Sequence, residues 1–180
     1  LFKEIKEEGG TTTPETGVKT IDVKTAGTLS TLVGADKFNL TEIKVTGDIN
    51  SSDILCLREM AGRNQNNGET SGKLVSLDLS GANIVAGGDY YYKNSTANLE
   101  FTTTANIISE YMFDHCKLES FVFPATATAI EGGAFGSCYN LKGTLTIPDN
   151  ITRIGNYAFE ACVSLEHVVL PAALKQESYS

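Results

Sequence analysis

Four cysteines and two histidines are the side chains of this sequence best equipped for covalent or metal chemistry. A thiolate can attack, ligate zinc or close a disulfide, and an imidazole can carry a proton or share a metal. Their spacing argues against each use. Cys116, Cys138 and Cys162 lie 22 and then 24 residues apart, unlike the close Cys pairs of a zinc site. Cys56 falls inside a helical pattern, Asp53-Ile54-Leu55-Cys56-Leu57, where a core residue is expected. His115 adjoins Cys116, but adjacent residues of a wall point to different sides and make a poor chelating pair. His167 follows Glu166 at an outward strand position, which suits a solvated pair better than a base with its orienting carboxylate. Asp48, Asp53 and Asp89 lack the ligand spacing of a calcium loop. No nucleophile elbow and no phosphate-cradling glycine loop occurs. Neither catalysis nor a bound cofactor is expected.

The bulk properties point the same way. A formal charge of -8 and a pI near 4.7 repel phosphate backbones, and Lys and Arg gather in no compensating patch. Nucleic acid is a poor expectation as partner. No apolar run reaches the length of about 18 residues that a membrane-spanning helix needs, and the opening LFKEIKEEGG lacks the apolar core of a signal peptide. Residues 1–20 mix charge, Thr, Gly and Pro with almost no large apolar side chain after Ile5, too little to offset their ordering entropy, and read as a flexible leader or tether.

The cysteine spacing belongs to a larger pattern. Phe113, Phe135 and Phe159 repeat at the same 22 and 24 residues, and Pro124, Pro148 and Pro171 follow at 24 and 23. Each copy ends in a strand-like run: Leu118-x-x-Phe121-x-Phe123, Leu141 with one extra residue before Leu145-x-Ile147, and Leu165-x-x-Val168-x-Leu170. Alternation sends these residues inward and their neighbours outward, and the prolines end each strand where a lost donor costs least. The period has leucine-rich-repeat length, and stacking such copies puts like residues in columns, here an aromatic and a thiol column. Free, buried thiols are expected, with bridges as the alternative. A true stack makes Phe159→Ala cost about 3 to 5 kcal/mol.

Residues 21–105 read as an N-terminal capping portion with atypical repeats. Ile21 to Val23 alternate like a short edge strand. Thr25 to Val33 start with cap-type residues and place Leu29, Leu32 and Val33 on one helical face. Leu40 to Ile49 and Leu74 to Ile84 each fit L-x-x-L-x-L. Between them Ser51 or Ser52 caps a helix carrying Ile54, Leu55, Leu57 and Met60, and a loop spans Arg63 to Gly72. The stretch from Val85 to Asn98 is an insertion, after which Leu99 and Phe101 resume an alternating strand.

Residues 106–180 hold the clearest copies. Ile154-Gly155-Asn156-Tyr157-Ala158-Phe159-Glu160-Ala161-Cys162-Val163-Ser164-Leu165 carries I-G-x-x-A-F-x-x-C-x-x-L, which resembles the BspA-like leucine-rich repeats. The copy from Ile130 has Glu131 in place of the first Gly, and the copy from Ile108 has Ser109 and Met112 at the Gly and Ala positions. The resemblance implies secreted or surface-attached proteins that bind other proteins, with adhesion to a host or neighbouring-cell protein as the role. It leaves open a lipid anchor on the precursor. The expected fold is α/β: a right-handed leucine-rich-repeat solenoid with a parallel strand ladder and an atypical, helix-containing N-terminal portion. After Pro171 no further I-G-x-x-A-F unit follows, so the last copy is either short or pairs with something.

Two surfaces are candidates for recognition. One is the outward side of the strand ladder: Thr41, Glu42, Lys44, Val75, Ser76, Asp78, Glu119, Ser120, Val122, Lys142, Thr144, Thr146, Glu166, His167 and Val169. The other is Tyr90-Tyr91-Tyr92, which would offer an aromatic platform to protein or glycan if exposed, the alternative being that one or two of them fold back onto the wall. A glycan-binding module and a structural spacer are the competing functions. Asn-x-Ser/Thr triplets at Asn39, Asn50, Asn94 and Asn150 would accept glycans in a eukaryotic secretory protein.

Overall fold

The computed structural model describes residues 18–172 and residue 174. Of the expected leader 1–20, residues 1–17 lie outside them, whereas Lys19 and Thr20 belong to the first strand. In chain order the elements are β1 (Lys19–Val23), α1 (Leu29–Val33), β2 (Glu42–Ile49), α2 (Ser51–Met60), β3 (Ser76–Ile84), β4 (Tyr92–Asn94), β5 (Leu99–Phe101), β6 (Ile107–Ile108), β7 (Ser120–Val122), β8 (Ala129–Ile130), β9 (Gly143–Thr146), β10 (Arg153–Ile154) and β11 (Leu165–Val169). All but β4 and β5 pair in parallel. One sheet runs β1-β2-β3-β7, a second runs β6-β8-β10, and β9 pairs with β11. The Tyr-rich insertion leaves the ladder to form an antiparallel hairpin, β4–β5.

β9 packs against β7 but does not pair with it as a ladder strand; Lys142 N–H donates to Glu119 O at 3.1 Å instead. The cause is visible in the sequence. This copy has one residue more between Leu141 and Leu145, and the chain absorbs it at Gly143, whose φ is +68°.

The N-terminal elements are tied together by a single carboxylate. Asp53, fully buried, accepts backbone N–H groups from Gly27, Leu29 and Asn50 at 2.5, 2.9 and 2.9 Å. It therefore caps α1 from another element while completing the capping box of its own helix, in which Asn50 Oδ1 accepts from Ser52 N–H. The cap of α2 is thus Asn50, not Ser51 or Ser52, because a residue in extended conformation, φ -121° and ψ -169°, is what leads the backbone into the first turn. Leu29 and Val33 are buried as expected, but Leu32 is 46% exposed. α1 is only five residues long and meets the core along one narrow stripe. The close of α2 is equally tight: a Cβ on Gly72 would fall 2.1 Å from Met60 O.

In the C-terminal copies the predicted columns exist. The rings of Phe113 and Phe135 stack at 5.5 Å, and those of Phe135 and Phe159 at 5.4 Å. All four thiols are free. Cys138 S–H donates to Phe113 O at 3.1 Å and Cys162 S–H to Phe135 O at 3.2 Å, so each thiol bonds back to the copy before it. Two turn positions per copy also bond forward. Tyr111, Gly133 and Tyr157, two residues before the aromatic column, all have φ between +54° and +62°; His115, Ser137 and Ala161, two residues after it, lie between +54° and +60°. This left-handed backbone costs a non-glycine residue roughly 1 to 2 kcal/mol, but it aims the N–H along the array. Tyr111 donates to Gly132 O, His115 to Gly136 O, Gly133 to Asn156 O and Ser137 to Glu160 O. Burial fades toward the last copy. Phe159 and Cys162 are half-buried, while Val168 and Leu170, expected inward, are 39% and 54% exposed. No described strand lies beyond β11 to cover them.

Candidate recognition surface

The parallel register sets the outward rows of the larger sheet. Glu42 lies beside Ser76 and Ser76 beside Ser120; Lys44 lies beside Asp78 and Asp78 beside Val122. On the smaller sheet His167 lies beside Thr144 and Val169 beside Thr146, after a register shift between Leu165 and His167. The strands alternate because Ile43, Leu77, Phe121 and Leu145 fill the core beneath. Lys142, Thr144, Thr146, Glu166 and His167 are exposed, and Val122 and Val169 are each 49% exposed. Glu119 is half-buried and pairs with Lys142 at 2.5 Å, an exposed contact that contributes little to stability.

Most of the face is short and neutral, with Ser120 and Ser76 hydroxyls 2.9 Å apart. Besides the Glu119–Lys142 pair it carries a polar knot toward the N-terminal side, where Lys44 Nζ meets Asp78 Oδ2 and Ser80 Oγ, both at 3.0 Å. Partial burial pushes the Asp78 carboxyl upward, but hydrogen bonds from the Ser80 hydroxyl and N–H and from Lys44 outweigh it and hold the group below its ordinary value.

The tyrosine run does not form a protruding platform. Tyr91 is fully buried, donates its hydroxyl to Glu110 O at 2.6 Å, and is pushed well above the usual phenol range by that burial. Tyr92 stacks on Phe101 and leans on Tyr111, with centroids at 5.5 and 5.4 Å. Tyr90 is half-buried with Lys93 Nζ 5.7 Å from its ring centre. Tyr91 immediately precedes β4, donates its N–H to Phe101 O at 3.0 Å and turns into the core, while Tyr92 lies along the wall.

What holds that wall is Arg58, fully buried on α2. Its Nη1 donates to Tyr111 O at 2.9 Å and Met112 O at 3.1 Å, its Nη2 to Asn67 Oδ1 at 2.5 Å, and its guanidinium sits 5.3 Å from the Tyr92 ring centre. Asn67 passes the contact on to Asp114 at 2.8 Å, and Asp114 meets His115 Nδ1 at 2.9 Å. His115 is therefore held by a carboxylate of the scaffold, while Cys116 beside it points inward and is buried.

The thiols are poor nucleophiles. Burial pushes Cys56, Cys116 and Cys162 up to about 11 from an ordinary value of 9.0, and Cys138 well above it. Among the described residues no group of three or more His, Cys, Asp or Glu is arranged to hold a metal ion, and no helix is long and apolar enough to cross a membrane.

Comparison with known proteins adds the family. The BspA type leucine rich repeat region matches residues 72–180 in six copies. A comparison with curated proteins gives no match. The matched span holds β3, both short ladders and the aromatic and thiol columns, and it covers more than half of the sequence. The chain belongs to the BspA-type leucine-rich-repeat family.

Proposed function

We propose that this chain is part of a right-handed leucine-rich-repeat solenoid displayed outside the cell, and that its outward strand face, not a catalytic centre, recognises a protein. The partner is a surface protein of a host or neighbouring cell, and the role is adhesion. Parallel neighbouring strands joined by long connections favour a right-handed winding, and the family generally supplies surface or secreted binding modules. A lipid anchor on the precursor fits the same setting.

The observation that carries the reading is the composition of the face. Ser76, Ser120, Thr144 and Thr146 alternate with the half-exposed Val122 and Val169 over successive strands. Short hydroxyl and β-branched side chains lose little rotamer freedom on being covered, and this uncharged stretch desolvates more cheaply than the charged positions beside it in a molecule of charge -8.

The test is surface plasmon resonance of the chain over a panel of purified extracellular-matrix proteins, with wild type and a Val122→Glu/Thr144→Lys variant. Both positions are exposed, so the variant should keep its fold and lose saturable binding. Absence of saturable binding by the wild type would leave the spacer role as the better account.

A further inference from the structure

The turn wall beside the β6-β8-β10 ladder contains a depression made by omission. Three positions relative to the aromatic column face it: three before, two before and one after. The first copy fills them with Glu110, Tyr111 and Asp114, and the third with Asn156, Tyr157 and Glu160. The middle copy has Gly132, Gly133 and Gly136 at all three. With the copies 5.5 and 5.4 Å apart at the aromatic column, a groove of about 380 Å³ lies over the glycines of the middle copy, within the size range of small-ligand sites.

Two of the glycines are also packing requirements. A Cβ on Gly133 would lie 2.6 Å from the Tyr111 ring, and one on Gly136 would lie 2.8 Å from Asp114 Oδ1. Gly132 is different. Its φ is outside the left-handed range, and the nearest atom to a Cβ there would be Asn156 O at 3.3 Å, so a side chain fits once the neighbouring turn gives by a few tenths of an ångström. One rim of the groove is Tyr157, 72% exposed, and Tyr139, 51% exposed, stands against the His115 ring at 6.5 Å.

We propose that this groove binds a neutral oligosaccharide, with one pyranose ring over the glycine floor, its C–H face against Tyr157, and hydroxyls of successive sugar units donating to the carboxylates of Glu110 and Glu160. An exposed aromatic face beside a narrow polar slot suits a ring with apolar faces and polar edges. Among the described residues neither the Glu110 nor the Glu160 carboxylate has an ion-pair partner, and each can accept charge-assisted hydrogen bonds from a sugar hydroxyl. The layout favours a polyol over a basic peptide. The two carboxylates belong to the first and third copies, two repeat steps apart, and Asp114, also on the first copy, is already engaged by Asn67 and His115, so the lining gathers no paired free carboxylates of the kind a guanidinium would want. The site is independent of the strand face, which contributes none of its lining residues.

The test is an amide-resolved NMR titration of the full chain with cellohexaose, mannohexaose and chitohexaose, and with hexalysine as the competing chemistry. At least one hexasaccharide should shift the Gly132, Gly133 and Gly136 amides saturably. Tyr157→Ala, at an exposed position, should weaken that binding about tenfold or more, and Gly132→Asn, which gives the middle copy the third copy's residue, should block it while the amide spectrum away from the groove stays that of the wild type. No saturable shift with any hexasaccharide overturns the proposal, as do shifts unchanged in both variants. Shifts with hexalysine alone would assign the groove to a basic peptide and overturn it equally.

Discussion

Arg58 brings a full charge into the protein interior and leaves it there. Two carbonyls of a turn 53 and 54 residues downstream accept from it, and its Nε has no hydrogen-bond partner among the described residues. Removing the guanidinium strands the Met112 carbonyl and Asn67 Oδ1 without donors, each a loss of about 1 to 3 kcal/mol, and leaves the Tyr111 carbonyl only the Asp114 N–H at 3.2 Å. Arg58→Met should therefore destabilise by about 3 kcal/mol or more, read as a lower urea midpoint at unchanged m-value; a shift under about 1 kcal/mol would mean that water replaces the lost donors. A trace of this was legible in the sequence, since Arg58 follows Ile54 and Leu57 on the buried stripe of α2 at helical spacing. What could not be read is the acceptor, because it lies on a turn 53 and 54 residues downstream that only the fold brings beside α2. The tyrosine run was ambiguous for a related reason: three like residues in a hairpin give no phase until the partner strand fixes which one points inward.

At the scale of the element, the recurring spacings predicted the columns and the structure contains them. They could not predict how deeply each copy is buried, because that depends on what packs on its far side. Phe135 has an aromatic neighbour on both sides and is fully buried, whereas Phe159 has Phe135 on one side only and remains half-exposed. The expected cost of 3 to 5 kcal/mol for Phe159→Ala thus belongs to Phe135→Ala, which should lose about that much in chemical denaturation, with Phe159→Ala losing clearly less. Equal losses would mean that the third copy is covered in solution. The groove wall shows the converse: Gly132, Gly133 and Gly136 fit no motif of the repeat, and their shared wall position emerges only when three copies are superposed.

For the whole molecule, the family boundary and the folding boundary differ. The matched repeats begin at residue 72, yet β3 is paired along its length with β2, Leu74 N–H donates to Met60 O, and Lys117 N–H to Ala61 O. A fragment of residues 72–180 would bare the β3 edge and strand the Arg58 acceptors. Circular dichroism should show cooperative thermal unfolding for the full chain and a broad, weak transition for the fragment; a fragment as cooperative as the full chain would refute the dependence. The direction of the hydrogen bonds has a mechanical corollary. Both ladders, the thiol links and the turn N–H groups all bond from one copy to the next, so a pull applied between the first and last strands loads these rows in series. Tension then opens one row at a time and lengthens the molecule in steps, as a zipper yields, and a strained attachment made through such a chain would give ground gradually before it broke.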